Sequence, residues 1–193
     1  PLYLLIGNFF SQIPILGDLG ARVNLISPIA SALSVMFLYL IITELIKLMN
    51  QKENNKMYFA AFIGALTFSI TDSQWFNAVE AEVYALSTFF TAIVVWLILK
   101  WATTKDSSNE IKYLILISYC IGLAIGIHLL NLLAIPFIAL IIFYKLNESK
   151  TIRPLHYIIL AISTGLVFLI IYKGIIKGLP SIANKISVPI MLY

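Results

Sequence analysis

Charge is what this sequence has least of. Asp, Glu, Lys and Arg together make up 11% of its 193 residues, less than half of the roughly one quarter usual in a soluble domain. Cysteine is nearly absent. Cys120 is the sole one, which excludes a disulfide framework and a cysteine-ligated zinc site within this chain. No initiator Met is present, and no basic segment or cleavage site precedes the apolar stretch that opens at Pro1, so a signal peptide is not expected. Pro1 and the closing Ser187–Tyr193 stretch are both expected to be boundaries of a piece cut from a longer polypeptide. The net charge is +4; its clustering in short loops is that of a positive-inside membrane protein, and no nucleic-acid partner is expected.

Hydrophobic residues, by contrast, make up 61% of the chain, and mean hydropathy is +0.96. Because the few charges are clustered, the apolar runs between them approach the length needed to cross a hydrocarbon core of roughly 30 Å. The pattern predicts an all-α, polytopic transmembrane helical bundle, with residues 1–193 forming part of one transmembrane domain. Residues 1–13 are too short to span and fit an interfacial helix. A turn rich in Gly and Pro follows up to Arg22. Spans are expected over about 23–46, 57–71, 84–99, 113–128, 132–144 and 155–172, boundaries that rest on apolar run length. The run from Tyr113 to Tyr144 would extend about 48 Å as one helix, so it is divided near His128–Asn131.

Alternate loops carry Lys47, Lys52, Lys56, Lys100, Lys105, Lys112, Lys145, Lys150 and Arg153. The opposite side carries Arg22, Lys173, Lys177 and Lys185. This bias assigns the first set to the cytoplasmic face. Arg22, Asp72, Glu80, Glu82, His128 and Asn131 then share the outer face, where chemistry is expected. Asp72, Glu80 and Glu82 are read as a loop beside Trp75, Phe76 and Tyr84, rings that hold such a segment at headgroup depth. Carboxylates there are candidates for proton transfer or metal coordination; the plainer reading is a solvated loop. Glu80 and Glu82 share a face only if the backbone between them is extended. Arg22 offers a planar donor fork suited to phosphate, or else snorkels to the headgroups. His128 and Asn131 offer polar contacts to a substrate, or else serve packing. Gly122 and Gly126 form a small-xxx-small spacing suited to helix contact.

Four strings then resemble a family: Pro1-Leu2-Tyr3-Leu4-Leu5-Ile6-Gly7, Ala21-Arg22-Val23-Asn24-Leu25-Ile26-Ser27, Trp75-Phe76-Asn77-Ala78-Val79-Glu80-Ala81-Glu82-Val83-Tyr84-Ala85-Leu86 and Gly126-Ile127-His128-Leu129-Leu130-Asn131-Leu132-Leu133. They resemble, in order, a bacterial membrane family of the "domain of unknown function" type whose animal relative is a transmembrane protein O-mannosyltransferase. The family is similar to the GT-C glycosyltransferases. The resemblance implies transfer of a mannose-like sugar from a polyprenyl-phosphate donor to a protein or glycan acceptor. It places the reaction on the extracytoplasmic face of a bacterial inner membrane. It also implies a catalytic acid in a loop upstream of Pro1, with Arg22 matching the position where related mannosyltransferases have an Arg before their next helix and Glu82, then Glu80, matching second-loop acids. On this resemblance Asp72, Glu80 and Glu82 are the catalytic candidates, and Arg22, His128 and Asn131 the substrate-binding ones. A divalent cation is the cofactor considered, with no ligand set assigned. The competing expectation is a non-enzymatic lipid-carrier flippase or transporter-type protein, which would bury ionisable groups nearer the bilayer midplane.

Overall fold

The structure, a computed structural model, describes residues 2–14, 17–49, 54–104, 107–148, 153–178, 180–182 and 184. Lys52, Lys105, Lys150 and Lys185 of the charge pattern, and the termini Pro1 and Ser187–Tyr193, lie outside the described residues. The described residues are helical, with no strand: α1 Leu2–Gln12, α2 Leu19–Asn24, α3 Ile26–Leu48, α4 Asn55–Ser69, α5 Asp72–Val79, α6 Val83–Thr103, α7 Ser107–Ile125, α8 Ala134–Leu146 and α9 Pro154–Leu169. Among the described residues, four stretches are long and apolar enough to cross a membrane: Leu19–Leu48, Val83–Thr103, Leu129–Leu146 and Pro154–Ile182. The protein is therefore an all-α helical membrane bundle, as its composition requires. Hydrocarbon cannot hydrogen-bond a backbone, so each crossing segment must satisfy its own N–H and C=O groups. The chain divides into two compact units, Pro1–Ala134 and Ile135–Tyr193.

The first unit is built around α3 and α6, which run parallel. Near their starts, Ile26 and Ala30 pack against Ala85 and Leu86. Midway, the Phe37 ring meets Phe89 and Trp96 at centroid distances of 5.8 and 5.4 Å. Near their ends, Lys100 Nζ donates to Glu44 Oε1 at 2.6 Å, with Lys47 Nζ 3.9 Å from the same oxygen. Glu44 is only 4% exposed, and a carboxylate so buried is tolerated only when paired. Fifty-six residues separate the partners in sequence, so the pair fixes the register of two helices that are not neighbours in the chain.

α4 and α5 run antiparallel to α3, one after the other. Asn54 accepts from Met57 N at 2.9 Å and caps the start of α4, which satisfies an otherwise orphaned helix donor. At Gly64 a Cβ would lie 3.0 Å from Ile42 Cδ1, which places α4 close against α3 at this level. α4 ends at Ser69, and α5 begins at Asp72. Gln74 Nε2 then donates to Ser31 O and Ser34 Oγ, each at 3.1 Å, and Asn24 Nδ2 donates to Val79 O at 3.1 Å. The partners on α3 and α2 thus step back steadily, from Ile42 through Ser34 and Ser31 to Asn24, as the α4–α5 chain advances.

Here the structure differs from the sequence reading, which took Asp72–Glu82 for a loop. Residues Asp72–Val79 form a helix that turns Gln74 inward and leaves Asp72 and Ser73 exposed. Gln74 is 5% exposed, whereas Trp75 and Phe76 are 67% and 60% exposed. Apolar side chains facing outward are natural where the surroundings are lipid, and the glutamine is accommodated because α3 supplies its partners.

The apolar run from Tyr113 to Tyr144 is interrupted as its length demanded. α7 ends at Ile125, and the backbone N–H groups of Ile127 and His128 both donate to Ala124 O at 3.0 Å. His128 then caps a 3-10 turn over Leu129–Leu133 by accepting from Leu130 N at 3.2 Å. Asn131, 3% exposed, locks this turn onto α6 and α7. Its Oδ1 accepts from Ser87 Oγ at 3.2 Å and Thr91 Oγ1 at 2.8 Å. Its Nδ2 donates to Ala124 O at 2.8 Å and His128 O at 2.9 Å. The spacing Gly122-xxx-Gly126 behaves unevenly. A Cβ at Gly126 would meet Leu123 O at 3.2 Å, whereas one at Gly122 would meet nothing within 4 Å.

In the second unit, α9 starts at Pro154, and Arg153 N donates to His156 Nδ1 at 3.0 Å. His156 therefore serves a helix cap. The Tyr144 and Tyr157 hydroxyls lie 3.4 Å apart, and residues 170–178 continue α9 as a π-helix.

Two stability predictions follow from the first unit. Glu44→Gln should lower stability by about 1–3 kcal/mol, below the roughly 3–5 kcal/mol of a fully buried pair, because the Lys100 side chain is 31% exposed. The exchange Glu44→Lys with Lys100→Glu should restore most of it in a thermal unfolding assay in detergent. An unchanged midpoint for Glu44→Gln would remove the pair from the account. Asn131→Ala leaves the Ser87 and Thr91 hydroxyls without their acceptor and should cost about 1–3 kcal/mol, read in the same assay.

Candidate functional site

The site is assembled where α3 and α6 begin. Tyr3, Ile6 and Phe10 of α1, with Val23 of α2 and Ile127 of the interrupted turn, pack on the cluster of Ile26, Ala30, Ala85 and Leu86. This apolar floor brings five segments to one end of the unit. Above it stand the polar residues singled out by the sequence, in a band that includes Glu80, Glu82, Tyr84 and His128.

Glu80 ends α5 and Glu82 caps the start of α6, and both backbones are extended (φ −101°, ψ 138° and φ −121°, ψ 163°). Glu82 N donates to Glu80 O at 2.8 Å, closing a tight turn over Ala81. α6 begins only at Val83, so the helical separation of the two carboxylates that an earlier helix start would impose does not arise. Glu80 is half-buried and Glu82 exposed. Neither carboxylate makes a hydrogen bond or ion pair among the described residues.

His128 is held against the first turn of α6. Its ring lies 5.4 Å from that of Tyr84, two residues after Glu82. Because Nδ1 accepts from Leu130 N, a neutral ring carries its proton on Nε2, which then presents a donor. Asn131 lies behind His128 with both amide hydrogens and its oxygen engaged inside the protein. Its place in the site is to position the His128 turn.

Arg22 and Asn24 are two residues apart on α2 and so point to roughly opposite sides of that helix. Asn24 reaches Val79 O, beside Glu80. Arg22 reaches the other way, its Nη1 donating to Ser11 O at 3.2 Å and its Nη2 to Gly17 O at 3.5 Å. The structure thus brings the Glu80–Glu82 turn and His128 to the end where α6 begins and sets Arg22 on the side of α2 away from Asn24, tying the end of α1 to the turn before α2. Asp72 does not join them. It stands at the far end of α5 from Glu80, about 10 Å away along a helix of this length.

One residue that sequence reading passed over belongs to the site. The Tyr3 hydroxyl is buried without a hydrogen-bond partner. Burial pushes the phenol above its usual pKa, and the Glu82 carboxylate adds to the rise. Nothing in the sequence marks Tyr3 within an apolar, aromatic stretch; only its packing on α6 reveals it. Among the described residues, no three His, Cys, Asp or Glu stand together as a metal-binding group.

Comparison with known proteins is specific on one point. The family described as "Protein O-mannosyl-transferase TMEM260 N-terminal domain" matches residues 1–152, a range that contains Tyr3, Arg22, the Glu80–Glu82 turn and His128. Searches of curated proteins and of solved structures return no match. The family match covers well over half of the chain, and on that ground the chain belongs to the protein O-mannosyl-transferase TMEM260 N-terminal domain family.

Proposed function

We propose that this chain forms part of a membrane glycosyltransferase of the GT-C type, moving a mannose-like sugar from a polyprenyl-phosphate donor to a protein or glycan hydroxyl. The reaction would take place at the extracytoplasmic face of a bacterial inner membrane. The observation that carries the reading is the band of Glu80, Glu82 and His128 at one end of a membrane-crossing bundle, in a chain of an O-mannosyl-transferase family. In the transfer, the acceptor oxygen forms a bond to the anomeric carbon as the bond from that carbon to the phosphate oxygen breaks. The acceptor proton passes to a carboxylate base, and polyprenyl phosphate leaves.

Each residue has a physical task in that step. Glu82 and Glu80, without ion pairs to neutralise them, would orient the acceptor hydroxyl and the charge developing at the sugar. His128 would offer its ring N–H to a phosphate or hydroxyl oxygen. Arg22, half-buried on α2, would steady the departing phosphate, a role suited to guanidinium.

A second reading, a lipid-carrier flippase or transporter-type protein, has one observation in its favour. Asp72 lies well along α5 from the outer end of the unit, and displaced acids of this kind occur in transport proteins.

The two readings part in one assay. Purified full-length protein should transfer sugar from a polyprenyl-phosphate mannose donor. Glu82→Gln and Arg22→Ala should each reduce turnover on the order of 10²–10³ while leaving membrane insertion unchanged. Near-wild-type turnover in both variants would make these residues structural. No transfer by the wild-type protein, with movement of the lipid carrier across vesicles instead, would establish the second reading.

A further inference from the structure

α4 has 15 residues and so spans about 22 Å, short of a hydrocarbon core of roughly 30 Å. Its helix stops at Ser69, yet the chain does not leave α3. Within a few residues Gln74 is bonded to Ser31 and Ser34, and Val79 to Asn24. From Asn55 to Val79 the chain follows α3 from its end to its start. α4 and α5 therefore act as two halves of a single crossing, broken at Ile70–Thr71. This break, and not a surface loop, is where Asp72 and Ser73 are found.

Two features mark the break as polar. The Asp72 carboxylate has neither hydrogen bond nor ion pair among the described residues, although it stands about 10 Å below the Glu80 level. Behind α5, Asn24 Oδ1 and Ser27 Oγ toward its Val79 end and Ser31 Oγ at the Gln74 contact are buried without partners, and of these Ser31 lies by the break. Such orphaned atoms are normally satisfied by ordered water or a ligand. Two cavities adjoin the break: a mainly apolar one of about 170 Å³, where Ser31, Ser69 and Gln74 stand among Pro28, Ala32, Val35, Trp75 and Ala78, and an open one of about 380 Å³ along α5, lined by Asp72, Ser73, Phe76 and Asn77.

We infer that the broken α4–α5 crossing opens a water-filled recess in the outer half of the membrane, and that its Asp72–Ser73–Phe76–Asn77 wall is a subsite for a sugar. The side chains fit a neutral polyol. Asp72 accepts from hydroxyls, Asn77 both donates and accepts, and Ser73 does either. The Phe76 ring supplies an apolar surface for the C–H face of the sugar. An unpaired carboxylate is unfavourable against lipid and favourable against water and hydroxyl donors. This subsite rests on the glycosyltransferase reading for its ligand class, whereas the recess itself does not.

The test uses full-length protein in phosphatidylcholine vesicles, carrying Cys120→Ala and either Ser73→Cys or Asn77→Cys, so that one position suffices if the other fails to fold. A charged, water-soluble methanethiosulfonate reagent is supplied on both sides, with free mannose as the protecting probe. Phe62→Cys, on the exposed face of α4, serves as the lipid-facing control. The recess predicts fast modification at position 73 or 77, at least several-fold faster than at position 62, and several-fold slowing by mannose. Modification as slow as at position 62 would overturn the recess. Fast modification without protection by mannose would overturn the subsite. Because labelling requires no transfer, a protein that fails the transfer assay yet shows mannose protection refutes the donor chemistry and retains the subsite.

Discussion

The parallel pairing of α3 and α6 is the constraint on which the first unit depends. Two parallel helices need a third to return the chain, and α4 with α5 makes that return along α3. The pair also has chemically different ends. At one, Glu44 and Lys100 meet at 2.6 Å in a largely buried contact. At the other, the apolar cluster of Ile26, Ala30, Ala85 and Leu86 supports Tyr3, the Glu80–Glu82 turn and the His128 turn. Helix packing in lipid gains little from burial of apolar surface, since lipid is equally apolar. The specific polar contacts at Glu44–Lys100, Gln74–Ser31 and Asn131–Thr91 therefore carry an unusual share of the register.

That register determines what the site can be. Arg22 and Asn24 lie on opposite sides of one short helix, so the same segment secures α1 on one side and α5 on the other. The acids are ordered by depth as well as by sequence. Glu80 and Glu82 stand at the helix ends, where backbone is extended and water accessible, and Asp72 stands at the break of a crossing. In the proposed reaction these are different tasks: charge near the reacting centre from the first two, and recognition of sugar hydroxyls by the third.

Much of this was legible in the sequence, for physical reasons that can be named. Long apolar runs separated by clustered lysines have no soluble solution, so the all-α membrane bundle follows from composition. The division near His128 follows from length, since one helix from Tyr113 to Tyr144 would overshoot the bilayer. The O-mannosyltransferase relationship was carried by strings such as Glu80-Ala81-Glu82-Val83-Tyr84, and the family match agrees. What remained hidden was whatever depends on partners distant in the chain. Gln74 reads as a loop residue until Ser31 and Ser34 are seen to receive it. Glu44 and Lys100 read as separate helix-end charges until the parallel packing joins them. Asn131 reads as a substrate contact until its four hydrogen bonds are traced into α6, α7 and its own turn, and Tyr3 reads as one more aromatic.

The central claim is that the two ends of the α3–α6 pair lie on opposite sides of the membrane, with the Glu80–Glu82 band outside. Single cysteines in the Cys120→Ala background test it directly, with Asn54→Cys at the start of α4 and Ala81→Cys between the two glutamates. In intact cells an impermeant maleimide should modify the protein carrying Ala81→Cys and spare the one carrying Asn54→Cys until the membrane is opened. Modification of both from outside, or of Asn54→Cys alone, would contradict the account.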